Sequence, residues 1–285
     1  MADNFNPNQA PDTGHEWDGI RELTNQPPRW WMIGFYLSWA WLVAYLIIYP
    51  SIPLISSHTK GVIGWTSIGE YKEAIAKFDA VRQPYVDKLA TMSAEEILKD
   101  PEMLNFANSY TKALFGDTCA SCHGANGQGT PGLFPVLNDD DWLFGGTVAD
   151  ISETVTNGRQ GVMPAHAGTL SEAELNQLAD FVLAVSAGKA TQEGLAAFSN
   201  AGCSGCHGED AKGNKFVGSA NLTDRIWRFG GSREEILHTI KYGVNQEGVE
   251  HTRNAVMPSF GGRLSANDIK LLTVKVWSLG GGQTE

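Results

Sequence analysis

All four cysteines of the chain fall in two Cys-x-x-Cys pairs, Cys119/Cys122 and Cys203/Cys206, and each pair is followed at once by histidine, His123 and His207. None is left over for a disulfide staple or a free nucleophile. The spacing puts two thiols on one side of a helical turn and directs the next side chain into the space beside them. One zinc ion shared by both pairs would need them adjacent, yet 80 residues separate Cys122 from Cys203. A redox dithiol would leave the repeated histidine without a task. Covalent attachment of c-type haem uses every residue: the thiols add to two vinyl groups, and the imidazole becomes the fifth ligand of iron.

Such an iron takes a sixth ligand from the opposite wall, and a methionine thioether, soft and neutral, favours the ferrous state. Met163 follows His123 by 40 residues and Met257 follows His207 by 50. Each is the only methionine between its motif and the end of its repeat, and each precedes a proline, Pro164 or Pro258, that stiffens the loop. His166 and His251 are rival distal ligands, ranked second because neither has a counterpart in the other repeat. Arg159 and Arg228 are candidate partners for haem propionates.

Aligning the cysteine motifs exposes an internal repeat. The first copy runs from Cys119 through Leu137-Asn138, Trp142, Gly145-Gly146, Ile151 and Asn157-Gly158 to Val162-Met163-Pro164 and Leu170-Ser171. The second runs from Cys203 through Asn221-Leu222, Trp227, Gly230-Gly231, Ile236 and Tyr242-Gly243 to Val256-Met257-Pro258 and Leu264-Ser265, with extra residues around Val244 to Arg253. Ser171 with Glu174, and Ser265 with Asp268, open closing helices with capping boxes. Leu175, Leu178, Phe181, Val182 and Val185 share one face of the first, and Ile269, Leu272, Val276 and Leu279 one face of the second. The expectation is two helical domains of one kind in tandem, 106–188 and 189–285, behind a helical and polar connecting arm at 58–105.

No charge occurs from Trp30 to Ser57, and Trp30 to Tyr49 is apolar apart from Ser38. Twenty residues at ~1.5 Å each match the ~30 Å hydrocarbon layer. Trp30, Trp31 and Tyr49 suit the two interfaces, and Pro50 and Pro53 end the helix. The span lies too far in, without a basic leader or cleavage site, for a signal peptide. An uncleaved anchor at 30–57 follows a segment at 1–29. Haem attachment on the outer side of a bacterial inner membrane would make 1–29 cytoplasmic and the rest periplasmic, in line with Arg21 and Arg29 before the span. The net charge of −11 and pI near 5.1 exclude a polyanion such as nucleic acid as partner.

The segment His15-Glu16-Trp17-Asp18-Gly19-Ile20-Arg21-Glu22-Leu23, then Pro27-Pro28-Arg29-Trp30-Trp31, Tyr49-Pro50 and Pro53, resembles the N-terminus of the dihaem subunit III of cbb3-type cytochrome c oxidases. The resemblance extends over nearly the whole chain and implies an all-α protein, one transmembrane helix followed by two class I cytochrome c domains. It implies two covalent haems c, one iron between His123 and Met163 and the other between His207 and Met257. It further implies no chemistry beyond electron transfer, from a cytochrome c or the quinol–cytochrome c reductase, through a monohaem subunit, to the haem b and haem–copper centre of a catalytic subunit. A free membrane-anchored dihaem shuttle and, more remotely, a dihaem peroxidase with one labile distal site are the alternatives.

Overall fold

The computed structural model describes residues 11–24 and 26–284, so the first ten residues of the expected cytoplasmic segment lie outside the described residues. The chain forms two compact units that divide between Arg82 and Gln83.

In the first unit, β1 (Asp12–Trp17) and β2 (Ile20–Leu23) pair antiparallel, with Trp17 opposite Ile20. Asp18 and Gly19 between them both have positive φ, 51° and 84°, the turn that matches the twist of two paired strands. This hairpin departs from the all-α expectation, although Asp-Gly between apolar residues is its usual signature. Helix α1 (Arg29–Ile48) follows, 20 residues with no residue buried and a mean hydropathy of 1.7, long and apolar enough to cross a membrane. It ends at Tyr49, where the backbone turns extended, so the uncharged stretch to Ser57 outlasts the helix. The orphan carbonyls at its end are met by the chain returning, with Val62 and Ile63 N–H donating to Ile47 and Ile48 at 3.0 and 3.5 Å.

Helix α2 (Ser67–Thr91) runs from the first unit into the second. In the second unit, α3 (Ala94–Lys99) starts on the Ser93/Glu96 capping box, and Asp100 caps α4 (Pro101–Thr118), with proline at its first position. There follow α5 (Ala120–His123), α6 (Val148–Asn157), β3 (Arg159–Gln160), α7 (Glu172–Ser186), α8 (Gln192–Asn200), α9 (Ser204–His207), α10 (Arg233–Tyr242), β4 (Val256–Met257) and α11 (Ala266–Trp277). The capping boxes before α7 and α11 form, and α10 has another on Ser232 and Glu235.

The expected apolar faces exist, but they are buried against the other copy. In one core, Phe115 of α4 and Ile151 and Val155 of α6 pack with Ile269, Leu272 and Val276 of α11. In the other, Leu175, Leu178, Phe181, Val182 and Val185 of α7 pack with Phe198 of α8 and Ile236 and Ile240 of α10. Each haem motif is therefore closed by the helix that ends the opposite repeat. Between the repeats expected at 106–188 and 189–285, the closing helices are exchanged: α11 packs in the core of the first motif and α7 in that of the second. The chain's end follows the same rule, since Trp142 Nε1–H donates to the Gly281 carbonyl at 2.7 Å and Gln283 N–H to Gly146 at 2.8 Å.

The expected arm is corrected as well. From residue 83 onward it belongs to the second unit, where Leu89, Ile97, Met103 and Ala107 bury against Leu271 and Val274 of α11. Lys270 Nζ donates to the Leu89 and Met92 carbonyls at 2.9 and 2.8 Å, a cation placed on the carboxyl end of α2.

Candidate functional site

Each Cys-x-x-Cys-His closes a single helical turn, α5 or α9, stopped by a glycine of positive φ, Gly124 at 74° and Gly208 at 81°. Just beyond, Gly129 and Gly213 N–H donate to the His123 and His207 carbonyls, both at 2.8 Å. These turns bring the next strand of chain across the imidazole. His123 Nδ1 lies 3.1 Å from the Pro135 carbonyl and His207 Nδ1 2.9 Å from that of Ala220. A carbonyl only accepts, so Nδ1 carries the proton and Nε2 keeps its lone pair for a metal. Burial holds both imidazoles below the usual histidine range, so they stay neutral, as ligands must be. Burial pushes the thiols of Cys119 and Cys203 up.

Both motifs open onto a largely apolar cavity. The first is lined by Cys119, Cys122, His123 and Met257, the second by Cys203, Cys206, His207 and Met163. All eight sequence-predicted residues line a cavity, but the methionines are exchanged. The expectation paired His123 with Met163 and His207 with Met257; Met257 lines the cavity of His123 and Met163 that of His207. The cause is visible between α6 and α7. There the two methionine loops run antiparallel, β3 against β4 with Arg159 opposite Met257, and Met163 forms a reciprocal bridge with Val244. Each loop thus passes the other and delivers its sulfur to the far cavity.

Asn245 joins the crossing loops, and sequence reasoning missed it. Its amide nitrogen donates to the Gly161 and Ala255 carbonyls at 2.7 and 2.9 Å, and its oxygen accepts from Ala255 N–H at 2.8 Å. It sits at φ 50°, which asparagine tolerates better than other side chains. The one sequence signal was the extra stretch around Val244 to Arg253. Close approach also explains Gly158 and Gly243. Both have positive φ, and a Cβ on either would press on the Met257 or Met163 carbonyl respectively. Gly158→Ala is expected to cost about 1–2 kcal/mol in backbone conformation alone and to disturb the first cavity. Gly243→Ala should disturb the second. Thermal melts, with the haem spin state read for each variant, check this.

Of the rival ligands, His251 is exposed and lines neither cavity. His166 lines the second, but its N–H donates to the Ile240 carbonyl just as that of Phe260 donates to Val155. It therefore occupies the place that a buried phenylalanine fills in the other repeat. Arg159 lines the first cavity and stacks over Phe144 at 5.0 Å, and Arg228 lines both.

Asp141 lines the first cavity, and burial, followed by the carboxylates of Asp224, Asp139 and Asp140, pushes it up to about 6. A carboxyl raised from 3.8 holds its proton longer in the folded chain than in the unfolded one. Stability from this group therefore falls as pH rises from about 4 through about 6, then stays low. Asp141→Asn is expected to stabilise the protein at pH 7 and to flatten this part of the profile in melts between pH 4 and 8.

Residues 109–182 and 189–274 match the family model described as cytochrome C oxidase, cbb3-type, subunit III, and residues 9–56 match the N-terminal domain of cytochrome oxidase-cbb3, FixP. The chain belongs to the cbb3-type cytochrome c oxidase subunit III family. Curated relatives agree end to end. The chain is 45% identical to the cbb3-type cytochrome c oxidase subunit FixP of Azorhizobium caulinodans, covering 95% of this chain and 93% of the relative. It is 42% identical to FixP of Bradyrhizobium sp. strain ORS 278, over 95% of each. It is 36% identical to the subunit CcoP of Cereibacter sphaeroides, over 97% of each. Haem c is the cofactor of cytochrome c domains, and the donor sets here fit it: paired thiols, a neutral imidazole with Nε2 free, and a thioether lining the same apolar cavity. Helix α1 together with this family membership supports membrane anchoring.

Proposed function

We propose that the chain is the dihaem electron-transfer subunit of a cbb3-type oxidase, with one haem c in each cavity. Cys119 and Cys122 would bind one haem through thioethers, and His123 and Met257 would hold its iron. Cys203, Cys206, His207 and Met163 would hold the other. Bound there, the group supplies reversible one-electron transfer. The cysteines would tie the ring covalently, the Pro135 and Ala220 carbonyls fix each imidazole, the methionines would offer sulfur to the iron, and the apolar walls would exclude water. With a histidine and a methionine to hold each iron, neither would offer an open site for oxygen or peroxide, which disfavours the peroxidase alternative.

What carries this proposal is that each Cys-x-x-Cys-His shares an apolar cavity with one methionine, and that the two cavities have a common wall. Leu143, Phe144, Ala220, Ile226 and Trp227 line both, so electrons would have a short path between the haems. Electrons would enter from a cytochrome c or from the quinol–cytochrome c reductase. They would leave through a monohaem subunit toward the haem b and haem–copper centre of the catalytic subunit. Helix α1 would sit in the bacterial inner membrane, with the N-terminal hairpin cytoplasmic and the haem cavities periplasmic. A lone two-stranded hairpin is marginal in water. With Trp17, Ile20 and Leu23 exposed, this one is suited to docking on the membrane part of the oxidase.

The test is gentle detergent extraction, pull-down through this chain, and a reduced-minus-oxidised spectrum. Haem b, copper and oxygen consumption in the eluate are expected. Haem c alone would favour a free anchored shuttle.

A further inference from the structure

A cation buried in an apolar wall is costly unless an anion meets it. Arg228 is such a cation. It lies on the wall common to both cavities, and its Nε is buried with no hydrogen-bond partner. Burial pulls its guanidinium below the usual arginine range, and its charge is one of the influences lowering His123. Its guanidinium stacks over the Phe229 ring, at 5.2 Å. A second guanidinium, Arg253, stacks on that same ring at 5.5 Å, also with a buried, unpartnered Nε. Two like charges gathered on one ring sharpen the demand for negative charge. Among the described residues no carboxylate forms an ion pair with either, although Arg253 is near enough to help lower the Glu235 carboxyl; Arg228 has no such neighbour among its influences.

The two repeats differ here. The Trp-x-Phe-Gly segment reads Trp142-Leu143-Phe144-Gly145 in the first copy and Trp227-Arg228-Phe229-Gly230 in the second. Leu143 also lines both cavities. The shared wall thus carries one leucine and one arginine where the repeat would permit two of either. Arg159 differs from both, since it lines the first cavity alone.

We propose that Arg228 is a common anchoring cation for the carboxylates of the groups in both cavities, and so a positioning residue that raises both reduction potentials together. This rests on the two-haem reading above. A guanidinium offers five N–H donors in a fixed fork, enough to serve carboxylates from two sides. A positive charge favours the added electron wherever it is felt, so one cation between two redox groups moves both midpoints in the same direction.

The experiment is an optical redox titration of the detergent-solubilised full chain, as wild type and as R228L, R228K and R159L, with haem per polypeptide counted by the pyridine haemochrome. R228L places in the second repeat what the first already has. Both midpoints are expected to fall in R228L, each by up to about tenfold in the reduction equilibrium, about 59 mV for one electron. Both should hold near wild type in R228K, while R159L moves one midpoint only. A fall of a single midpoint in R228L, or of neither, overturns the shared role. If R228L fails to keep both haems, R228Q, which removes the charge and keeps much of the length, is read by the same criteria. Fewer than two haems on the wild-type chain would end the two-haem reading, a separate result from the behaviour of the arginine.

Discussion

Met257→Ala turns the haem on Cys119 and Cys122 high-spin and open to carbon monoxide, and leaves the haem on Cys203 and Cys206 low-spin. Met257 lines the cavity of His123, and no other methionine lines it. Met163 lines the cavity of His207. To identify the affected haem, the methionine changes are combined with Cys119→Ala and Cys122→Ala, which leave only the second haem attached. On that background Met257→Ala is expected to be spectrally silent, while Met163→Ala produces the high-spin form. The reverse pattern would restore the in-repeat pairing and refute the exchanged one. A remaining low-spin spectrum after Met163→Ala would point to His166, which lines that cavity beside His207.

The second large effect is on folding. A chain ending at Lys189 contains one entire repeat, haem motif, methionine and closing helix, yet it is expected not to fold around its haem. It lacks α11, whose Ile269, Leu272 and Val276 sit in the first core and whose Leu271 and Val274 sit against α3 and α4. Burying an aliphatic side chain of this size contributes roughly 1.5–3 kcal/mol. Five of them together approach the whole net stability of a typical domain, about 5–15 kcal/mol. The helix that remains, α7, would expose Leu175, Leu178, Phe181, Val182 and Val185, which bury in the other core. Circular dichroism melts and the haem spectrum of the truncated chain provide the check. Co-expression of the missing half should recover six-coordinate haem on Cys119 and Cys122. A truncated chain that melts cooperatively with a low-spin haem would contradict the exchange.

What the sequence made legible is what depends on neighbours along the chain. The cysteine motifs, the two methionine–proline pairs, the Ser171 and Ser265 caps and the apolar helix α1 are all local patterns, and the structure has them where expected. The apolar faces of α7 and α11 were legible too. Their partners were not, because periodicity records which face is buried and says nothing of which copy buries it. In a repeat, closing on oneself and closing on one's twin bury equivalent surfaces. Only the crossing decides, and it is built from long-range contacts: the Met163–Val244 bridge, the β3–β4 pair and Asn245 reaching Gly161. The hairpin was missed although Asp18-Gly19 announced it. The arm was read as polar because the apolar residues Leu89, Ile97 and Met103 lie among polar ones and meet their partners only in α11.

The crossing also imposes an order of events on a chain made from its N-terminus. Tyr110 of α4 finds Asp268 of α11 at 3.0 Å, 158 residues later. Contacts this distant in sequence carry a heavier loop-closure cost and slow folding. The first cysteine pair therefore emerges long before the sulfur and helix that complete its surroundings, and it must wait, accessible, while the second pair is made. Neither centre can be finished from its own half of the polypeptide. On the proposed pairing, a chain that stops anywhere before Met257 would lack the sulfur of its first centre, so the exchange would make synthesis past that point a condition for the proposed relay.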